Sequence, residues 1–481
     1  MDRRGLLFIF PFLLFSGATA QYWAPLRNGI KRTPGSVFTV YGDSVWDRLL
    51  VGTSVKWIIE GDDSLLIRGG ASWDGVIWDS LPAPLGSCPN GNTCSAVNRF
   101  FRFRNKLYAA GSFNFLTPEG VPNSYIARWS EADEIWEALE CTNPYPGMIT
   151  MLHVPPNDTM YFTGYMGSVC GFPESCVFAY DGTGFQAFEP FNDWPGVSGD
   201  YVGFVFRFQG QLYMTGLLDN SITGTFHGFL RHTGNAWEAV PGFETPAPIK
   251  DVLIHDDKLY VCGYFFTNTG GPGNMVTVYN GEEWSDMGGG LRYALPNSTS
   301  GIAMDLHEWN GDIYVAGQFN YSGGVYAENV ARWNGQQWCG LGGAYANFLP
   351  GGTVLGVTNW RDSLYIAGGF VTIDGDTLHN VARWLGVVEN CSPALEVEEA
   401  RLPSGSLIPV LLDAGVIWRI DLPEPAVEVR LHDARGRLVH QLGAATQHTM
   451  TVDLAARAAG IYVVVCTTSA GAVYRAKVYK P

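Results

Sequence analysis

Few residues in this chain have the type and spacing that chemistry needs. His307-Glu308 opens like a helix that binds zinc through two histidines, but the second ligand position is Gly311 and the neighbouring residues alternate like a strand. Asp374-Gly375-Asp376 offers two carboxylates to a cation and too few further spaced oxygens for a calcium loop. Gly182-Thr183-Gly184 and Gly271-Pro272-Gly273 lack the strand-to-helix setting in which glycines cradle phosphate, and no G-x-S-x-G or Walker pattern occurs. The residues therefore assign no catalytic group, no metal and no cofactor. Cysteine carries the clearest pattern. Cys88 and Cys94 bracket PNGNT, and Cys170 and Cys176 bracket GFPES, so each pair is a candidate disulfide closing a small loop. Neither pair has the nearby His or Cys partners of a zinc site. Cys262 and Cys466 sit in apolar runs and read as buried thiols, leaving Cys141, Cys339 and Cys391 unassigned among nine.

The elements that must hold these residues are β-strands. Of 481 residues 46% are hydrophobic, 14% aromatic and only 16% charged, with 59 Gly and 27 Pro, which favours short strands joined by tight turns. The net charge of −16 argues against nucleic acid as a partner. Residues 1–20 have a basic start, an apolar run from Leu6 to Phe15 and Ala18-Thr19-Ala20, the pattern of a cleaved secretory signal. No later stretch is long and apolar enough for a transmembrane helix, so a secreted or cell-surface location after removal of residues 1–20 is expected.

One phrase recurs along the chain: LYAAGSF from Leu107, LYVCGYF from Leu259, IYVAGQF from Ile313 and LYIAGGF from Leu364, with weaker copies from Leu49, Met160 and Leu212. Its second positions are Leu50, Tyr108, Tyr161, Tyr213, Tyr260, Tyr314 and Tyr365, spaced by 58, 53, 52, 47, 54 and 51 residues. A second phrase, fullest as NVARWNGQQWCGLGG from Asn329, follows each first one and reads as two strands around an Asn-Gly turn. An aromatic opens each last strand (Trp23, Trp78, Trp136, Phe185, Trp237, Trp284, Trp338), with an apolar residue three positions on, such as Leu26 or Leu341. Four strands per unit and a period near 50 predict a seven-bladed β-propeller over 21–390. The seventh unit stops at Trp384 without a last strand, and QYWAPL at the mature N-terminus supplies the missing pattern, so the first strand is expected to close the last blade.

On these phrases, residues 21–390 resemble kelch-like bacterial propeller repeats. The resemblance implies a binding platform, a scaffold or, less often, an enzyme, because the fold by itself licenses no activity. A linker over 391–402 leads to a second pattern of alternating strands, expected to pack as a small β-sandwich over 403–481. VRLHDARGRLVHQL, VDLAARAAGIYVVVCTT and the closing RAKVYKP resemble the C-terminal sorting domain of the type IX secretion system of Bacteroidetes. The matching positions are Asp433, Gly436, Asp453, Leu454, Gly460, Ile461, Tyr462, Lys477 and Lys480. The resemblance implies that the type IX machinery is the partner of residues 403–481, with export across the outer membrane and loss of the tail. An immunoglobulin-like module is the competing reading of the same strands.

The short turns lie at one end of each unit and the long loops at the other, where propellers usually place ligand sites. Loop aromatics Phe115, Trp194, Tyr293, Tyr321 and Tyr345 are the candidate contacts for a glycan or a surface protein. Two readings compete: a non-enzymatic binding protein, and an extracellular lyase or hydrolase of polysaccharide. The second needs acids, His or Tyr converging at the mouth, for which His379, Asp374, Tyr293 and Asp200 are the candidates.

Overall fold

A computed structural model describes residues 23–480 apart from 31–35, 61–62, 84, 86–95, 117–121, 140–147, 154–158, 167–174, 188–201, 221–224, 244–247, 294–300, 340, 342–352, 371, 374–375, 387–404, 408–409, 414–416, 423–424, 434–436, 446–447 and 470–472. The chain divides into two compact units, Met1–Cys391 and Ser392–Pro481, and both are built of strands. Among the described residues no helix is long and apolar enough to cross a membrane.

The first unit contains seven four-stranded antiparallel sheets among the described residues. Their leading strands are Val37–Asp43, Ala96–Phe103, Met148–His153, Val202–Phe208, Ile249–His255, Ile302–Trp309 and Val354–Trp360. The second strand of each carries the LY-AG phrase, the third carries ARW or its equivalent, and the fourth opens on the repeated aromatic. In the seventh sheet the fourth strand is Trp23–Pro25, antiparallel to Val381–Trp384 with Trp23 opposite Trp384. Consecutive sheets pack on one another, and the leading strand of the first packs against that of the seventh, so the chain of contacts returns to its start.

Burial follows these interfaces. Seven apolar clusters among the described residues each join one pair of neighbouring sheets, as when Leu50 and Leu81 of the first sheet meet Phe100 and Trp136 of the second. The cluster joining first and seventh sheets brings Leu26, Val37 and Trp78 against Trp360 and Tyr365. Such a layout fits the sequence: a sheet whose two faces both meet a neighbour needs apolar residues on both sides of its middle strands. Leu364, Tyr365, Ile366 and Ala367 are accordingly all buried.

The repeat has two further structural causes. Every leading strand slips register near its third residue, at Val37/Thr39, Val97/Arg99, Ile149/Met151, Val202/Val205, Ile249/Asp251, Ala303/Asp305 and Val354/Gly356. In six of the seven sheets the residue paired just before the slip is the phrase's glycine, for example Gly317 opposite Ala303. A Cβ on Gly111, Gly263, Gly317 or Gly368 would overlap the carbonyl oxygen of Ala96, Pro248, Ile302 or Thr353, so close approach at the bulge requires glycine there. At the other edge, the third and fourth strands carry one aromatic pair per sheet in the same register: Trp73–Trp78, Trp129–Trp136, Tyr180–Phe185, His232–Trp237, Tyr279–Trp284, Trp333–Trp338 and Trp384–Trp23. Their ring centroids lie 4.5 to 5.3 Å apart. The Trp78, Trp284 and Trp338 indoles donate to the carbonyls of Leu26, Pro241 and Met287 of the preceding sheet, so each aromatic also staples a neighbour.

The second unit has a five-stranded sheet and a three-stranded sheet around one core, with Ile420, Val452 and Leu454 facing Val429, Leu431, Val464 and Cys466. Two of its strands, Gly405–Leu407 and Val410–Asp413, are short and were not expected from the sequence; the first runs parallel to Val473–Lys480. Loops also turn out more ordered than the repeat pattern suggests. Leu291–Arg292 pairs with Tyr321–Ser322 and Thr372–Ile373 with Asp376–Thr377, inside segments whose glycine and polar content reads as plain loop.

Candidate functional site

The position just after each bulge differs from sheet to sheet: Thr39, Arg99, Met151, Val205, Asp251, Asp305 and Gly356. Three of them form a charged cluster. Arg99 Nη2 lies 3.2 Å from Asp251 Oδ1, joining the second sheet to the fifth, and Asp305 of the sixth lies close enough to feel the charges of both. Arg99 keeps 38% of its side-chain surface open. Burial, and then the charge of Asp251, push the Asp305 carboxyl up to about 8. The same burial raises the Cys262 thiol, with Asp251 and Asp305 adding to it, so this cysteine is an inert thiol.

Both acids have a structural task. Asp251 Oδ2 accepts from the Leu306 N–H at 3.1 Å, and Asp305 Oδ2 accepts from the Val357 N–H at 2.8 Å, each in the next leading strand. His307 Nε2 accepts from the Asn359 N–H at 3.1 Å, and Thr358 Oγ1 accepts from the Gly42 N–H at 3.3 Å. Side chains of one sheet thus satisfy the edge N–H groups of the next, which no ladder partner reaches. His307 lies in a strand, as the sequence requires, and burial lowers its pKa.

The loop end of the fifth and sixth sheets carries a different arrangement. Leu291, buried, and Ser322, fully buried, anchor the short pair that sets Arg292 opposite Tyr321. The exposed Arg292 guanidinium lies 4.4 Å from the Tyr321 ring centroid. Tyr293 follows, half-buried, with its Cβ against Gly301. Tyr264, 42% exposed, meets Phe266 edge-on at 5.1 Å. Of the five aromatics that the sequence singles out, Tyr293 and Tyr321 are thus brought to one assembly. Phe115 is placed by its backbone in the strand Lys106–Leu116, opposite Asn123. Trp194 and Tyr345 lie outside the described residues. Arg292 and Tyr264 were missed, because a lone arginine gives no signal until its stacking partner is known.

Among the acid–base candidates, Asp200 and Asp374 lie outside the described residues. His379 sits in a turn at φ 44°, where its carbonyl accepts from the Ile30 N–H at 2.8 Å. The arginines of ARW brace their own sheets: Arg128 pairs with Glu137 at 2.8 Å, Arg332 with Asp312 at 3.3 Å, and Arg383 bonds Ser363. Cys88, Cys94 and Cys170 lie outside the described residues, and Cys176 is placed by its backbone in Ser175–Tyr180. Cys262 and Cys466 are buried thiols, and Cys339 is disulfide-bonded.

In the second unit, five of the singled-out positions converge on the turn between Asp453 and Gly460. Asp453 Oδ1 accepts from the Ala455 N–H at 2.7 Å, Leu454 is fully buried, and Gly460 adopts φ 146°. Tyr462 donates its hydroxyl to the Ala458 carbonyl at 2.8 Å, and Lys480 Nζ donates to the carbonyls of Ala455 and Arg457, both at 2.6 Å. Asp433 closes a second turn by accepting from the Arg437 N–H at 3.0 Å; Gly436, within it, lies outside the described residues. Lys477 points outward from the sheet, and Ile461 is 39% exposed.

No family model matches the chain, and no curated protein matches it. Among solved structures it is similar to the extracellular domain of a one-component system from B. thetaiotaomicron, at 10% identity and a TM-score of 0.42, over 96% of this chain and 59% of that one. The extracellular domain of a hybrid two-component system from the same organism aligns at 10% identity and a TM-score of 0.37, over 92% and 73% of the two chains. The structure of YjhT aligns at 12% identity and a TM-score of 0.31, over 74% and 94%.

Proposed function

We propose that residues 21–390 form a kelch-like, seven-bladed propeller that acts as a secreted or cell-surface, non-enzymatic binding protein, and that residues 403–481 are its type IX sorting domain. The observation that carries the binding reading is the contrast between the polar side chains of the leading strands and those of the loops. Asp251, Asp305 and His307 are consumed in capping neighbouring N–H groups, while the loop end presents open aromatic and cationic surface. The wheel is supported by the returning circuit of sheet contacts and by the pairing of Trp23 with Trp384. A second reading, an enzyme acting on polysaccharide, draws on one feature: a carboxyl pushed up to about 8 beside an open arginine could serve as a general acid. Against it, one Asp305 oxygen is held by Val357 and the other side meets Asp251.

The mature protein, purified from its native host, tests the whole reading. A chain beginning at Gln21, ending near residue 400 and recovered at the cell surface supports export with loss of the tail. Recovery in the periplasm with Pro481 intact contradicts it. Binding to glycan or surface protein without turnover supports the platform, and release of shortened oligosaccharides, abolished by Asp305→Asn, supports the enzyme instead.

A further inference from the structure

The binding reading leaves open what the loop end recognises, and the inference that follows rests on that reading. Arg292 differs from the arginines that brace the sheets. Arg48, Arg102, Arg128, Arg332 and Arg361 each face a carboxylate, at Asp74, Asp43, Glu137, Asp312 and Asp47. The Arg292 guanidinium makes no ion pair or hydrogen bond among the described residues; its one partner is the Tyr321 ring beneath it. The ring contact leaves the guanidinium exposed, with planar N–H donors of the kind that take a carboxylate in bidentate fashion.

The support beneath this pair is rigid. The Leu291 N–H donates to the Asn274 carbonyl at 2.9 Å, the Gly323 N–H to the Gly290 carbonyl at 2.9 Å, and the Asn320 N–H to the Arg292 carbonyl at 3.0 Å. The Asn274 side chain ties the same assembly to Gly289 and Thr267. Three loops are therefore fixed to one another before any ligand arrives, so little ordering entropy is lost on binding. Exposed Tyr264 and half-buried Tyr293 belong to the same loops and offer ring surface to the C–H face of a pyranose.

Charge narrows the ligand further. Residues 21–400 carry a net −20 by count, so a polyanion is repelled over the surrounding surface, whereas one carboxylate at contact range meets a guanidinium that faces no acid among the described residues. We propose that Arg292, laid on Tyr321, is the anchor for a glycan bearing an isolated uronic-acid carboxylate.

The test is isothermal titration of the mature protein with an oligosaccharide ending in glucuronate and with its carboxyl-reduced, neutral counterpart. The acidic form binds about tenfold more tightly, the equivalent of one charge-assisted hydrogen-bonded pair. Arg292→Gln abolishes that preference and leaves binding of the neutral form unchanged, Arg292→Lys retains only part of it, and Tyr321→Ala weakens both forms. Matching thermal unfolding of Arg292→Gln and the parent verifies the fold. Equal binding of the two sugars, or a preference that survives Arg292→Gln, overturns the inference while sparing the binding reading. Binding of an acidic peptide but of neither sugar also overturns it, and failure of every glycan and protein probe overturns the binding reading itself.

Discussion

The two edges of the seven sheets are built on opposite rules. At the last strand the same aromatic pair recurs in the same register in every sheet, from Trp73–Trp78 to Trp384–Trp23. At the leading strand the backbone bulge recurs, but the residue after it changes from Thr39 to Arg99 to Asp251 to Gly356. Repetition belongs to the edge where a sheet is made and joined to its neighbour. Variation belongs to the edge where sheets that are distant in sequence meet, as Arg99 and Asp251 do.

The largest effect should come from breaking the repeated edge where it joins the chain ends. Deleting residues 21–26 removes the Trp23–Trp384 pair and Leu26, and exposes the edge of Val381–Trp384. Loss of cooperative unfolding, or aggregation, is expected by calorimetry and light scattering. Trp338→Ala removes a buried ring and its bond to Met287, and should cost about 3–5 kcal/mol in denaturant unfolding. Gly317→Ala tests the shared bulge: the added methyl meets the Ile302 carbonyl, and a loss of about 1–3 kcal/mol is expected.

The variable edge predicts a pH-dependent effect. Asp305 has a folded-state pKa near 8, above the roughly 3.9 of an unfolded aspartate, so the folded protein holds a proton that the unfolded chain has lost. Its contribution to stability is full below pH 4, declines as pH rises and is lost through pH 8. Asp305→Asn should therefore flatten the fall in stability between pH 4 and 8, measured as the difference between variant and parent. An unchanged slope would mean that the Asp251–Asp305 pair is solvated. Smallest of all, Lys480→Met should leave the first unit's unfolding unaffected and raise amide exchange only around Ala455 and Arg457.

Much of this was legible in the sequence, and the reason is repetition. The LY-AG and ARW phrases locate second and third strands because they pair in register, with Tyr108, Tyr213, Tyr314 and Tyr365 across from Arg128, Arg231, Arg332 and Arg383. The last strand was legible through its aromatic, including the displaced copy at Trp23. The bulge was not, since its sole trace is a glycine that reads equally as a turn or a small residue. The Arg99–Asp251–Asp305 cluster was not legible either, because its members come from three sheets and share no phrase. At the loop end, the aromatics Tyr293 and Tyr321 were found by type, whereas Arg292 needed the pairing of two loops to acquire meaning.

The central claim is that the N-terminal strand closes the seventh sheet and so joins the sheets into a single platform. Ala24 and Arg383 face each other across that junction, and a double variant, Ala24→Cys with Arg383→Cys, tests it directly. On oxidation, peptide mapping should recover a disulfide linking the two positions, and the oxidised protein should unfold at a higher temperature than its reduced form. Two free thiols at these positions in a folded, monomeric protein would contradict the closure.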